Sequence, residues 1–219
     1  MPRRQPQPLV RRRCGRPSGC ASRPRRAGPR GELGHAVMCD PGQMARHSGR
    51  RLLLLRHAKS AYPGVADHDR PLAGRGRRDA PAAGRWLRGT GCVPDYVVCS
   101  TARRARETWQ LAAAQLPADP LVRFDDRVYG ATSGQLLDLA REAPGEAQTL
   151  LVVGHDPAIQ ELALTLSAGQ ADDQGLLERM ATKFPTASVA VLAVDGGWPE
   201  LGPANARLVR FAVPREFAV

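Results

Sequence analysis

Residues 51–60 read RLLLLRHAKS and decide the fold of this chain. Four consecutive leucines run directly into an arginine and a histidine, without an intervening turn residue. A short, continuous apolar run of this kind predicts a strand that is buried on both faces. A buried strand does not need a cation and an imidazole at its end, so Arg56 and His57 are either incidental or in contact with an anion.

Similar apolar runs recur along the chain and alternate with helical patterns. The apolar runs predict further strands at 95–99, 149–154, 188–194 and 207–213, and the periodic segments predict helices at 75–88, 102–116, 134–142 and 157–167. Buried strands separated by helices indicate a three-layer α/β/α sandwich with a mainly parallel central sheet. With 219 residues, the chain is long enough for one ordinary domain with a sizeable core.

The beginning of the chain has a different composition. Residues 1–43 hold ten arginines and two acidic residues, which is +8 of the net charge of +11 and leaves +3 for the remainder. This Arg/Pro/Gly-rich text has no apolar period and cannot bury enough surface to offset its ordering entropy. We expect residues 1–50 to be a disordered tail and residues 51–214 to form the domain. The basic charge belongs to the tail, so nucleic-acid binding by the domain is not expected.

Two interpretations of this tail remain open. Its Arg-rich, acid-poor composition resembles a transit peptide, although prolines and glycines would interrupt an amphipathic helix. Alternatively, it lies upstream of a true start at Met44, because 30 arginines to 2 lysines are typical of a GC-rich gene. No apolar run approaches the roughly 18 residues of a membrane span. Cys92 and Cys99 form no CxxC pair, which favours a reducing cytoplasm and no metal.

Unusual residues follow three of the predicted strands: Arg56-His57, the segment 100–104 (STARR), and His155-Asp156-Pro157. The carboxyl ends of parallel strands meet at one edge of a sheet, where ligands bind, so we expect the three groups to converge. Asp156 and one of Ser100 and Thr101 are expected to cap helices there. Arginines, histidines and helix N-termini together predict a site for a phosphoryl group.

These motifs resemble the histidine phosphatase superfamily, which has the phosphoglycerate-mutase-like fold. LLLLRHAKS is similar to its Arg-His signature, STARRARET to its S-x-x-x-R-A-x-x-T segment, and LLVVGHDPAIQELA to its second-histidine motif. RHAKS followed by DHDRPLAGRGRRDA resembles the SixA-like branch, the phosphohistidine phosphatases. The resemblance covers about residues 51–214.

The resemblance implies a role for four residues. His57 would be the nucleophile and form a transient phosphohistidine, Arg56 and Arg104 would bind the phosphoryl oxygens, and His155 would complete the anion site. His57 must be neutral at its attacking nitrogen, so we expect a backbone acceptor at its other ring nitrogen. The spacing from Ser100 selects Arg104, with Arg103 facing elsewhere and Arg106 on a solvated face.

The general acid is an open question. Other family members use a glutamate in a segment resembling L-x-E-R-x-x-G, where FDDRVYG places the shorter Asp126. The resemblance to SixA-like members implies a site that works without this acid, since a phosphoramidate needs less help than an alkyl phosphate. Asp126 therefore favours N-linked or easily cleaved phosphate.

Other readings of the chemistry-bearing residues are weaker. Asp67, His68 and Asp69 lack a second cluster of metal ligands, so no metal is expected. Cys99 fails the C-x₅-R spacing of a cysteine phosphatase and is expected to be buried, and Trp86 and Trp109 are expected in the core.

Three functions therefore remain. The first is a cofactor-free, monomeric phosphohistidine phosphatase acting on a phosphorylated protein. The second is a phosphatase acting on small phosphoesters through His57. The third is a non-catalytic protein that binds phosphate or nucleic acid. A mutase is ranked below these because no insertion to enclose a sugar phosphate is evident.

Overall fold

The computed structural model describes residues 49–217. We predict that residues 1–50 form a disordered tail, and that this tail is either a transit peptide or lies upstream of a start at Met44. Apart from residues 49 and 50, these predictions concern residues outside the described range. Within this range, no helix is long and apolar enough to cross a membrane.

Six strands and five helices of more than one turn form the described part of the chain. The strands are β1 (Arg50–Arg56), β2 (Tyr96–Ser100), β3 (Leu121–Asp125), β4 (Thr149–Gly154), β5 (Val189–Val194) and β6 (Ala206–Ala212). The helices are α1 (Gly74–Gly89), α2 (Arg103–Ala113), α3 (Ser133–Arg141), α4 (Ala158–Ser167) and α5 (Gln174–Thr182). Short 3₁₀ turns cover Asp67–Asp69, Asp126–Val128 and Pro214–Glu216.

The strands form one mixed sheet in the order β3-β2-β4-β1-β5-β6. The four strands from β3 to β1 are parallel, and β5 is antiparallel to both of its neighbours. Only β5 therefore runs against the other strands, and the prediction of a mainly parallel sheet is confirmed.

The leucines of β1 divide the core between the two faces of the sheet. Leu52 and Leu54 pack with buried residues of α3, α4 and α5, whereas Leu53 and Leu55 pack with buried residues of α1 and α2. Successive side chains of a strand point to opposite faces, so four adjacent leucines require a helical layer on each side. The predicted three-layer α/β/α sandwich is confirmed. Trp86, Trp109 and Cys99 are buried, as expected.

Two elements were not predicted from the sequence. β3 is an edge strand with the sequence LVRFD, and its only buried residue is Asp125, so it lacks the apolar run that marked the other strands. α5 is a short helix that buries only Met180, with Leu176 and Leu177 partly buried against the core. Both elements owe their structure to neighbours that are distant in sequence, which a local pattern cannot show.

Candidate active site

Three neighbouring strands bring the expected residues together at one edge of the sheet. Arg56 at the end of β1 pairs in register with Gly154 at the end of β4, and the backbone N–H of His57 donates to the Gly154 carbonyl at 3.0 Å. On the other side of β4, β2 ends at Ser100, with Cys99 opposite Val153. The predicted convergence of the three strand ends is therefore confirmed.

His57 is held in a single tautomer. Its Nδ1 lies 2.8 Å from the carbonyl oxygen of Ala58, which can only accept, so Nδ1 carries the proton and Nε2 keeps its lone pair. The predicted backbone acceptor is therefore present. Burial lowers the pKa of His57 from 6.5 to about 3, because a buried imidazolium loses its hydration. His57 is thus a neutral imidazole with an available Nε2 over the physiological pH range.

A buried threonine fixes the loop that carries His57. The Thr108 hydroxyl accepts from the backbone N–H of Ala58 at 2.9 Å and donates to the Arg104 carbonyl at 2.6 Å. Thr108 is fully buried. Helix α2 therefore sets the position of the Ala58 peptide, which in turn orients the His57 ring.

His155 lies beside His57, with ring centroids 5.1 Å apart. Its Nε2 is 2.8 Å from the Ser100 hydroxyl, which also accepts a bond from the backbone N–H of Ala102 at 3.3 Å. Ser100 can donate its proton to Nε2, and this tautomer carries hydrogen on Nδ1, a buried atom without a partner among the described residues. Burial, followed by the nearby Arg104 charge, lowers the pKa of His155 from 6.5 to about 4.

Two arginines contribute positive charge beside this histidine pair. Arg56 donates from Nη1 to the Phe184 carbonyl at 2.6 Å and to the Asp156 carboxylate at 3.1 Å, while its buried Nε has no partner in the described part of the chain. Arg104 is buried, with 6% of its surface exposed, whereas Arg103 and Arg106 are exposed as expected. Arg104 is therefore the buried arginine of this segment, and its binding of a phosphoryl group stays a prediction.

Asp67 and Tyr129 contact the site, although the sequence gave no reason to select them. Arg104 donates to the Asp67 carbonyl at 2.6 Å and to its carboxylate at 2.9 Å, and the Tyr129 hydroxyl donates to the same carboxylate at 2.9 Å. Hydrogen bonds from Arg70, Tyr129 and Arg104 hold the pKa of Asp67 well below its usual range. In the sequence, Asp67 and Tyr129 are marked only by lying in two segments that resemble family motifs. These are DHDRPL, quoted for the SixA-like branch, and FDDRVYG, quoted for the general acid.

Both capping predictions are wrong. The N-cap of α2 is Ala102 and that of α4 is Pro157, and neither helix has a side-chain cap. Asp156 is engaged by Arg56 instead, and Ser100 is engaged by His155. A nearby charged or polar partner has displaced the cap in each case, which local sequence could not indicate.

Asp126 lies in the 3₁₀ turn after β3, where its carboxylate accepts from the Thr101 hydroxyl at 2.5 Å.

The Asp67–Asp69 turn offers two carboxylates and one imidazole. No group of three His, Cys, Asp or Glu side chains in residues 49–217 is arranged to hold a metal ion.

Comparison with known proteins agrees with this geometry. The model of the histidine phosphatase superfamily, branch 1, matches residues 52–196. An uncharacterised protein of Mycobacterium tuberculosis is 47% identical over 162 residues, which is 74% of this chain and 100% of the relative.

Solved structures show the same fold. A Nakamurella multipartitia protein, provisionally assigned as the phosphohistidine phosphatase SixA, has a TM-score of 0.67 at 36% identity and covers 77% of this chain and 98% of its own. The protein histidine phosphatase SixA in complex with tungstate has a TM-score of 0.58 at 20% identity, covering 75% and 97%, and shows the fold alone. The chain therefore belongs to the histidine phosphatase superfamily, in its SixA-like branch, and is a phosphatase.

Proposed function

We propose that this protein is a phosphohistidine phosphatase that acts on a phosphorylated protein through a covalent intermediate on His57. One observation carries the proposal: a neutral His57 with an available Nε2 lies close to Arg56 and His155, each of which has a buried ring or guanidinium nitrogen without a hydrogen-bond partner among residues 49–217. The unpartnered Arg56 Nε and His155 Nδ1 are both buried, and a phosphoryl oxygen would supply the hydrogen bonds that they lack.

In the first step, His57 Nε2 attacks phosphorus in line with the bond to the leaving group. Arg56, Arg104 and His155 hold the non-bridging oxygens and stabilise the charge on them, which is the main demand of phosphoryl transfer. The phosphorylated His57 keeps hydrogen on Nδ1 because of the Ala58 carbonyl. It is therefore an activated, cationic phosphoimidazole, and water releases phosphate from it in the second step.

The state of Asp126 favours a phosphoramidate over an alkyl phosphate. Its Oδ1 accepts a hydrogen bond from the Thr101 hydroxyl and is therefore already engaged, whereas an alkoxide leaving group needs a strong acid beside it. Imidazole is a better leaving group because its second nitrogen takes up a proton readily. Phosphohistidine is therefore the substrate that best suits these residues.

The test is phosphate release by the full chain from a phosphohistidine peptide, with a phosphoserine peptide of the same sequence as the competing substrate. We expect release from the phosphohistidine peptide that disappears in His57→Ala. An active protein that prefers phosphoserine would overturn the substrate assignment and favour small or O-linked phosphoesters. Equal release by His57→Ala would overturn the assignment of the nucleophile.

A further inference from the structure

His68 lies at the outer end of a row of rings that begins in the site. The His68 ring packs edge-on against Tyr129 at 4.9 Å between centroids, and Tyr129 packs against His155 at 5.6 Å. The carbonyl of Asp67, which immediately precedes His68, accepts from Arg104. His68 therefore follows a residue bound to Arg104, and the Tyr129 ring separates it from His155.

The hydrogen bonds of His68 define which of its nitrogens carries a fixed proton. The Asp126 carboxylate only accepts, so the Thr101 hydroxyl donates to it and keeps lone pairs for a second partner. His68 Nε2 lies 3.1 Å from that hydroxyl and therefore donates to it. Nδ1 lies 3.6 Å from Asp69 Oδ1, which is too long for a hydrogen bond. His68 Nδ1 thus remains available to give or take a proton.

Space for a leaving group opens next to this nitrogen. His68 and Thr101 line a groove of about 280 Å³ whose remaining lining comes from Asp69 and from polar side chains of α2. Thr101, which lines the groove, directly follows Ser100, which binds His155. Polar residues line this groove with both polar atoms and carbon atoms, which suits an imidazole attached to a peptide.

A phosphohistidine substrate places a particular demand on an acid. Its imidazole leaves as a neutral group only when the ring nitrogen that is not bonded to phosphorus has been protonated. That nitrogen lies across the ring from the scissile bond, so its proton donor belongs farther from phosphorus than the acid of a phosphoester enzyme. His68 occupies such an outer position, whereas the proton of Thr101 is committed to Asp126.

We propose that His68 is the general acid for the leaving imidazole and that Thr101 and Asp126 are positioning residues that hold it. This proposal rests on the proposed function, since it takes phosphohistidine as the substrate. Histidine is the side chain best suited to giving and taking a proton near neutral pH.

The proton and electron pairs balance over the two steps. As the His57 Nε2–P bond forms, the P–N bond of the substrate breaks, its electron pair stays on the imidazole, and the far nitrogen takes the proton from His68 Nδ1. Water then attacks the phosphorylated His57, the Nε2–P bond breaks, and its electron pair returns to Nε2. One proton of the water stays on the phosphate, the other passes to solvent, and His68 takes up a proton from solvent. The products are neutral histidine, inorganic phosphate and the enzyme in its initial state.

The charged and titratable groups around His68 come from four segments. Besides His155 at the end of β4, they are Asp69, Arg103, Arg106, Glu107, Asp126 and Tyr129.

The test compares His68→Gln and His68→Ala with the wild-type full chain, on a phosphohistidine peptide and on p-nitrophenyl phosphate. Gln keeps an N–H for Thr101 but cannot transfer a proton, so it separates acid catalysis from positioning. We expect both variants to lose about 10²-fold in kcat/KM on the peptide at pH 8, the lower end of what a general acid contributes. The loss should shrink to below about twofold at pH 5.5, where solvent protonates the substrate ring directly. On p-nitrophenyl phosphate, whose leaving group needs no proton, the loss at pH 8 should be smaller.

Two results would overturn this role for His68. Wild-type activity of His68→Gln at pH 8 would show that only the hydrogen bond to Thr101 matters. An equal loss at both pH values and on both substrates would show a structural role. A wild-type protein that cleaves p-nitrophenyl phosphate but not the phosphohistidine peptide would instead contradict the proposed function, so the two failures are distinguishable.

Discussion

The inner wall of the site (His57, His155, Arg56 and Arg104) differs from its rim (Asp67, His68 and Tyr129) in burial and in electrostatics. The side chain of Arg104 is 8% exposed and His57 is buried, whereas the side chains of Asp67 and His68 are 52% and 41% exposed. The inner histidines have lowered pKa values because they are buried, and Asp67 has a lowered pKa because cations and a hydroxyl bind it. We infer that the wall serves the phosphoryl group and that the rim serves the leaving group.

The largest effect that would sharpen this comparison comes from the arginines of α2. Arg104→Ala should lower kcat/KM about 10²- to 10³-fold, because a buried donor to the phosphoryl oxygens is lost. Arg103→Ala is the matched control, since Arg103 is exposed and pairs with Glu107 at 2.8 Å. We expect only a few-fold change for it, measured as phosphate release from p-nitrophenyl phosphate. Equal losses in the two variants would contradict the assignment of Arg104 to the wall.

The second-largest expected effect concerns the hydrogen bond between Thr108 and the backbone N–H of Ala58, which positions the loop of His57. Thr108→Val removes the acceptor for the buried Ala58 N–H and should lower the free energy of unfolding by about 1–3 kcal/mol, as measured by urea denaturation. Activity should fall as well, because the Ala58 carbonyl orients His57. Thr108→Ser keeps the hydroxyl and is expected to retain most of both properties. Full activity in Thr108→Val would show that His57 is oriented without this bond.

A glycine offers a further way to disturb the loop of the nucleophile. A Cβ on Gly76 would lie 2.2 Å from the Lys59 carbonyl oxygen, two residues after His57, whereas a Cβ on Gly89 would contact nothing within 4 Å. Gly76→Ala should therefore lower the free energy of unfolding by about 1 kcal/mol or more, which lowers the melting temperature by several degrees. It should also reduce activity. Gly89→Ala should leave both close to wild type. A stable and active Gly76→Ala would show that α1 does not constrain this loop.

The smallest expected effect is that the wall histidines His57 and His155 do not take up protons between pH 8 and pH 5. Burial lowers the pKa values of His57 and His155 to about 3 and about 4, so both rings should remain neutral between pH 8 and pH 5. Because the unfolded histidines take up protons near pH 6.5 and the folded ones do not, stability should fall as the pH drops below about 6.5. Imidazole chemical shifts followed by NMR test this, with the signals assigned from His57→Ala and His155→Ala. A wall histidine that titrates near pH 6.5 would contradict the prediction.

The sequence was informative where one run of residues determines the structure. The four leucines of β1 required a layer on each face of the sheet, and the strand ends had to bring Arg56, His57 and His155 together. The spacing of STARRARET also selected the buried Arg104.

The remaining features depend on partners that are distant along the chain. The strand β3 is stabilised by pairing with β2, although its own pattern is weak. Asp67 joins the site through Arg104 and Tyr129, which are 37 and 62 residues away. The expected caps at Ser100 and Asp156 were replaced by bonds to His155 and Arg56, at separations of 55 and 100 residues. Such competition between partners is decided by the fold and not by the local sequence.

The most direct test of the central claim is to trap the phosphorylated enzyme. The full chain is mixed with excess phosphohistidine peptide and quenched in alkali, in which phosphohistidine survives, and the modified residue is mapped by mass spectrometry. We predict a phosphoryl group on His57 that is absent from His57→Ala. A phosphoryl group on His155, or steady phosphate release without any phosphorylated histidine, would contradict the account.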